Sequence, residues 1–187
     1  MSHQAIIFLA EGFEEIEAIT PIDVLRRAQI EVTVVGLENA QVTAAQGTRH
    51  IADITFNELQ GDISPEVIIL PGGNLGTENL YKSIPLKKLL QKQISADRWV
   101  AAICAAPTIL ARHSLLTPDS IITCYPTTSH YVPSINYTGK SRVVVSKPFI
   151  TSQGPGTSLE WSLEIVRQLR GDLLAQEIKN AVIAFIP

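Results

Sequence analysis

Three short apolar runs decide what this chain can become. Residues 5–9, 67–70 and 99–103 are almost purely apolar, and each gives way within three residues to glycine, proline or alanine. A run of four or five apolar residues without alternation suits a strand buried on both faces. The stretches between them have helical spacing. Residues 14–29 carry Ile16, Ile19, Ile22, Val24 and Leu25, with acids at the start and Arg26 and Arg27 near the end, which matches the helix dipole. Pro21 must then sit at a helix start or force a kink. Residues 31–35 are β-branched and read as a strand. Residues 41–45 and 48–54, joined around Gly47, read as a hairpin appended to the sheet. Further helices are predicted over 85–94, 105–111, 159–169 and 173–185, and further strands over 121–124, 142–145 and 149–152. Strands alternating with helices predict an α/β fold with a mostly parallel central sheet and helices on both faces. With no repeat or linker, residues 1–187 read as one domain.

Composition narrows the function. Fifteen basic residues against eighteen acidic ones leave a net charge of −3, so no basic excess points to nucleic acid. No apolar stretch approaches the length of a membrane span. The start, Met1-Ser2-His3-Gln4, lacks the basic region of a signal peptide and leads straight into the first strand. Two cysteines make no disulfide framework, and a cytoplasmic protein is expected. Four histidines and two distant cysteines show no metal-ligand spacing, so neither metal nor organic cofactor is expected. Thr138-Gly139-Lys140-Ser141 imitates the end of a phosphate-binding loop, but Ser134 stands where its first glycine belongs. The 154–159 segment lacks the third glycine of a dinucleotide fingerprint.

In parallel α/β sheets, sites form beyond the carboxyl ends of the strands. Three such ends matter here. After residues 99–103 comes Cys104, flanked by Ala102 and Ala106 in the small-x-nucleophile-x-small pattern of a nucleophile elbow. A thiol there faces unpaired helix N–H groups, which should lower its pKa; the competing reading is a buried structural cysteine. After residues 67–70 comes Pro71-Gly72-Gly73-Asn74-Leu75-Gly76, whose glycines allow close backbone approach. The amides of Gly73 and Ala105 could form an oxyanion site facing Cys104, with Gly72 and Asn74 in the pocket wall. After residues 5–9 comes the acidic cluster Glu14, Glu15 and Glu17. One of these turned inward and kept neutral by burial would be a general acid and base.

Five segments together resemble a known family. They are residues 9–18, 21–28, 70–76, 101–107 and 151–158, which read LAEGFEEIEA, PIDVLRRA, LPGGNLG, AAICAAP and TSQGPGTS. They run in order over nearly the whole chain and are similar to the ThiJ/PfpI superfamily, in the branch of the Parkinson-associated deglycase and bacterial YajL. The resemblance implies a flavodoxin-like three-layer sandwich that forms a homodimer. It implies that Cys104 is the reactive cysteine and that Glu17 is its protonated partner. It also implies an arginine from a partner subunit near the site, for which Arg49 is the nearest match. Tyr125 stands where glyoxalase-active members often carry a histidine, and tyrosine is a poor proton shuttle at neutral pH. His130, five residues on, reads as a loop residue in solvent. Ala105 stands where the proteases of the superfamily carry histidine, which argues against proteolysis. A thiamine-pathway role finds no phosphate site here.

Two function classes remain. One is a cofactor-free deglycase or glyoxalase acting on methylglyoxal or on early glycation adducts of protein or nucleotide, through a Cys104 thiolate assisted by Glu17. The other is an oxidative-stress sensor or redox-regulated chaperone working through oxidation of Cys104.

Overall fold

The computed structural model describes residues 4–59, 61 and 63–185. Met1 to His3, on which the reading of the start partly rests, lie outside them. Alternating strands and helices appear as expected. They are β1 (Gln4–Leu9), α1 (Glu15–Arg27), β2 (Glu31–Gly36), β3 (Gln41–Thr43), β4 (Arg49–Ile51), β5 (Ile54–Thr55), β6 (Val67–Leu70), α2 (Asn74–Lys82), α3 (Ile84–Ser95), β7 (Trp99–Ile103), α4 (Pro107–Arg112), β8 (Val143–Ser146), β9 (Phe149–Ser152), α5 (Ser158–Arg170) and α6 (Asp172–Ala181).

The seven-stranded sheet runs β5-β2-β1-β6-β7-β9-β8, parallel throughout except for β8 at one edge. Its β2-β1-β6-β7-β9 core has the flavodoxin-like order, with the chain reversing direction between β1 and β6. Side chains alternate across it. Ile6, Phe8, Ile68, Leu70, Val100 and Ala102 pack with Leu80, Leu86, Leu90, Ile109 and Leu110 of α2, α3 and α4. Ile7, Leu9, Ile69, Ala101 and Ile103 pack with Leu25, Trp161, Ile165 and Ile178 of α1, α5 and α6. The unalternating apolar runs are thus strands covered on both faces, in three layers.

Local chemistry sets the helix ends. The Glu14 carboxylate caps α1 by accepting the Glu17 N–H at 2.9 Å, and Ser83 caps α3 ahead of Pro85. That first cap fixes the turn on which Glu17 rides.

Several sequence expectations are corrected. Of the two places the sequence allows Pro21, the helix start is excluded: it lies inside α1 and withdraws the N–H that would bond the Glu17 carbonyl. The hairpin of β3 and β4 forms its own two-stranded sheet, while only residues 54–55 join the main one. Residues 121–124 make a single bridge, Ile122 to Tyr137, and no strand. The Thr123 and Tyr125 amides there donate to Thr151 Oγ1 and to the Cys104 carbonyl and leave no ladder. The last helix ends at Ala181. The α2 helix was hidden by Gly76, since glycine weakens a helical pattern by roughly 1 kcal/mol. No helix among the described residues is long and apolar enough to cross a membrane.

Candidate active site

The carboxyl ends of β1, β6 and β7 converge as the topology requires. Cys104 leaves β7 with φ +63°, a left-handed conformation that L residues seldom adopt. Its N–H donates to the Ser152 carbonyl at 3.0 Å, and its own carbonyl accepts the Tyr125 N–H at 2.7 Å. These two bonds, from opposite neighbours, hold the strained turn. They realise the elbow that the small residues around Cys104 permit. The thiol is half-buried.

Glu17 has no exposed surface. Its Oε2 accepts the Gly72 N–H at 2.8 Å, and its Oε1 is buried without a hydrogen-bond partner among the described residues. Gly72 is the spacer between the two reactive groups. A Cβ there would lie 2.6 Å from Glu17 Oε2 and 2.7 Å from Cys104 Cβ. Only a residue without a side chain lets the carboxyl and the thiol approach across it. Gly73 follows at φ +90° and caps α2.

Burial pushes the Glu17 carboxyl up to about 7; the nearby Glu14 charge adds to this, while hydrogen bonds with Cys104 and Gly72 oppose it. The Cys104 thiol is pushed up to about 12, first by burial and then by the charge of Glu17 and its hydrogen bond, against the Gly73 and Ala105 amides that favour the thiolate. The helix-end amides therefore act in the direction the sequence suggests, but beside an ionised Glu17 they are outweighed. The two values belong to one pair. Glu17 keeps its proton to about 7, and the thiol beside an ionised Glu17 keeps its own to about 12. When Glu17 carries the remaining proton, its charge vanishes and its O–H becomes a donor to sulfur, so the charge effect on the thiol disappears and the hydrogen-bond effect reverses sign.

The other site candidates divide. Gly73 and Ala105 are brought to Cys104 with their amides acting on its sulfur. Asn74 is exposed at the start of α2, where it lines a hollow of about 380 Å³ with Glu11, Gly12, Thr43 and Leu75. Tyr125 touches the elbow through its backbone, while its half-exposed ring lies against Gly154. Arg49 is exposed on β4, and no hydrogen bond or ion pair among the described residues joins it to Cys104 or Glu17. His130 packs on Tyr131 at 4.1 Å with its Nδ1 at 3.0 Å from the Thr127 carbonyl. Glu15 faces the hairpin, accepting from the Gln46 N–H and Thr48 Oγ1. Among the described residues no group of three or more His, Cys, Asp or Glu could hold a metal ion. Sequence reasoning missed Ser152, whose carbonyl fixes the Cys104 amide. Its only signal was a strand end of unknown partner.

The chain is similar to known proteins over nearly its whole length. The model of the DJ-1/PfpI family matches residues 3–168. Protein dj-1beta of Drosophila melanogaster is 38% identical over 99% of this chain and 100% of its own. The glutathione-independent glyoxalase DJR-1.2 of Caenorhabditis elegans is 34% identical over 89% of this chain and 88% of its own. The crystal structure of Drosophila melanogaster DJ-1beta superposes with a TM-score of 0.94 at 36% identity, covering all of both chains.

Proposed function

The chain belongs to the DJ-1/PfpI family, and from that membership we propose a stress-protective hydrolase that converts methylglyoxal, or the early adducts it forms on protein and nucleotide, through Cys104 and Glu17. The observation that carries this reading is a fully buried carboxyl set across a single glycine from a half-buried thiol on a strained turn. A relative named as a glyoxalase that needs no glutathione supports it.

In the working microstate Glu17 holds the proton and the negative charge rests on Cys104 Sγ, facing the Gly73 and Ala105 amides. The sulfur adds to the aldehyde carbon. The carbonyl electron pair moves to oxygen, which takes the proton from Glu17 to give a hemithioacetal. Ionised Glu17 then removes the C–H proton and delivers it to the neighbouring carbon, while the hydroxyl proton passes to the other oxygen. The product is a thioester of lactate. Water adds to the thioester carbonyl and gives one proton to Glu17, the C–S bond breaks, the thiolate returns, and the lactic acid formed releases its carboxyl proton to solvent. Protons and charge balance without a cofactor. Tyr125 supplies no shuttle, so Glu17 does all the proton work and turnover is slow.

The surroundings support a second copy of this chain as partner. Ile16, Ile19 and Ile51 are exposed on α1 and β4, and Arg49 is exposed on β4 as well. Two free cysteines support a reducing, cytoplasmic setting.

The test is lactate formed from methylglyoxal by the wild type and by Cys104→Ser. Product must be followed, because any thiol removes methylglyoxal reversibly. Lactate from the wild type alone is the expected result. Lactate from neither, with Cys104 oxidised readily by peroxide, overturns the hydrolase in favour of the redox sensor, since a protonated Glu17 would equally stabilise a sulfinate.

A further inference from the structure

Away from the reacting atoms, Arg112 at the end of α4 is held by more partners than a surface arginine needs. Its guanidinium lies over the Tyr81 ring at 3.6 Å from the centroid, and 5.1 Å from that of Tyr131. It forms a two-pronged pair with Glu78, Nη2 to Oε2 at 3.1 Å and Nη1 to Oε1. Its side chain is only 17% exposed. The Tyr81 ring also stacks on His113 at 4.6 Å. Glu78 and Tyr81 belong to α2, and Tyr131 ends the 126–131 turn.

Each tethered segment has its other end at the thiol. The α2 helix begins beside Gly73, whose amide acts on the Cys104 sulfur. The 126–131 turn follows Tyr125, whose N–H holds the Cys104 carbonyl. The α4 helix starts three residues after Cys104 itself. We propose that Arg112 is a positioning residue for Cys104: by pinning α2 and the 126–131 turn to α4, it fixes the backbone stretches that cradle the thiol. The planar guanidinium suits this, because it stacks and bonds bidentately at once, which lysine does not. Glu78 is held below the usual carboxylate range by Arg112, which keeps the pair ionised, and burial lowers His113, which favours its neutral ring. The proposal rests on Cys104 being the reactive group and not on the identity of its substrate.

The experiment is iodoacetamide alkylation of the full-length protein, read at Cys104 by mass spectrometry across pH. Arg112→Ala should alkylate roughly tenfold more slowly at neutral pH, with its midpoint displaced upward. Arg112→Lys should recover only part of the rate. Tyr131→Ala, on a half-exposed side chain, should move the rate in the same direction, and Tyr131→Phe should not. The double alanine variant should be no slower than Arg112→Ala alone, since the two act as one unit. An Arg112→Ala protein that melts earlier yet alkylates at the wild-type rate and midpoint overturns the proposal. If that variant does not fold, a wild-type rate in Tyr131→Ala does so. Because alkylation reads the thiol directly, a failure to make lactate leaves this result interpretable.

Discussion

Glu17→Gln isolates the most unusual energy in the molecule, a carboxyl that burial holds near 7. In the unfolded chain this group releases its proton near 4.5, and in the folded one near 7. Between those values the folded state binds the extra proton, so stability falls as pH rises from 4.5 and the loss is complete above 7. This is opposite in sign to the usual paired carboxylate. At about 1.4 kcal/mol per pH unit the wild type should lose about 3 kcal/mol across that window. Proton linkage counts protons and not atoms, so the figure holds whichever member of the Glu17–Cys104 pair ionises first. Glutamine fills the same space, can still donate to sulfur and does not titrate. Urea unfolding of both proteins at pH 4.5, 6 and 7.5 gives the comparison. Carboxylates held low, such as Glu15 and Glu78, affect both proteins equally and cancel in the difference. The wild type should weaken relative to the variant as pH rises. Parallel curves would refute the reasoning, because they would mean that Glu17 is not held protonated by the fold.

Two further outcomes follow from the same geometry. Gly72→Ala places a Cβ 2.6 Å from Glu17 Oε2 and 2.7 Å from Cys104 Cβ, so it should cost about 1–3 kcal/mol in denaturant unfolding and abolish lactate formation. Thr151→Val removes the buried Oγ1 that accepts the Thr123 N–H at 3.0 Å, and the orphaned amide should cost about 1–3 kcal/mol by thermal unfolding, with slower Cys104 alkylation as the Tyr125 segment loosens.

Much of this site is written locally in the chain. The elbow was legible because Ala102 and Ala106 are small and a strand pattern meets a helix pattern at Cys104. The glycine pair was legible because a buried strand ends on it. Which of three neighbouring glutamates turns inward was not legible from the residues alone, since Glu14, Glu15 and Glu17 share one composition. The Glu14 cap and the pitch of α1 decide it, with Glu17 inward and Glu15 toward the hairpin. The thiol's ionisation was misjudged for a related reason. Helix-end amides are visible in a sequence pattern, whereas the burial and charge that oppose them depend on Glu17, 87 positions away by number. The missed α2 helix and the spurious strand at 121–124 show the same limit. Tertiary partners, Phe13 packed against Gly76 and the Thr151 hydroxyl on the Thr123 amide, overrode what the local residues favoured.

The central claim is that Glu17 keeps the proton so that Cys104 carries the charge. Ultraviolet absorbance of the thiolate, titrated in the wild type with Cys104→Ser subtracted, tests it most directly. The account predicts thiolate at Cys104 already at neutral pH, and a titration that Glu17→Gln moves. Absence of thiolate until the pH approaches about 12, the value to which burial and an ionised Glu17 push the thiol, would put the charge on Glu17 instead and contradict the mechanism.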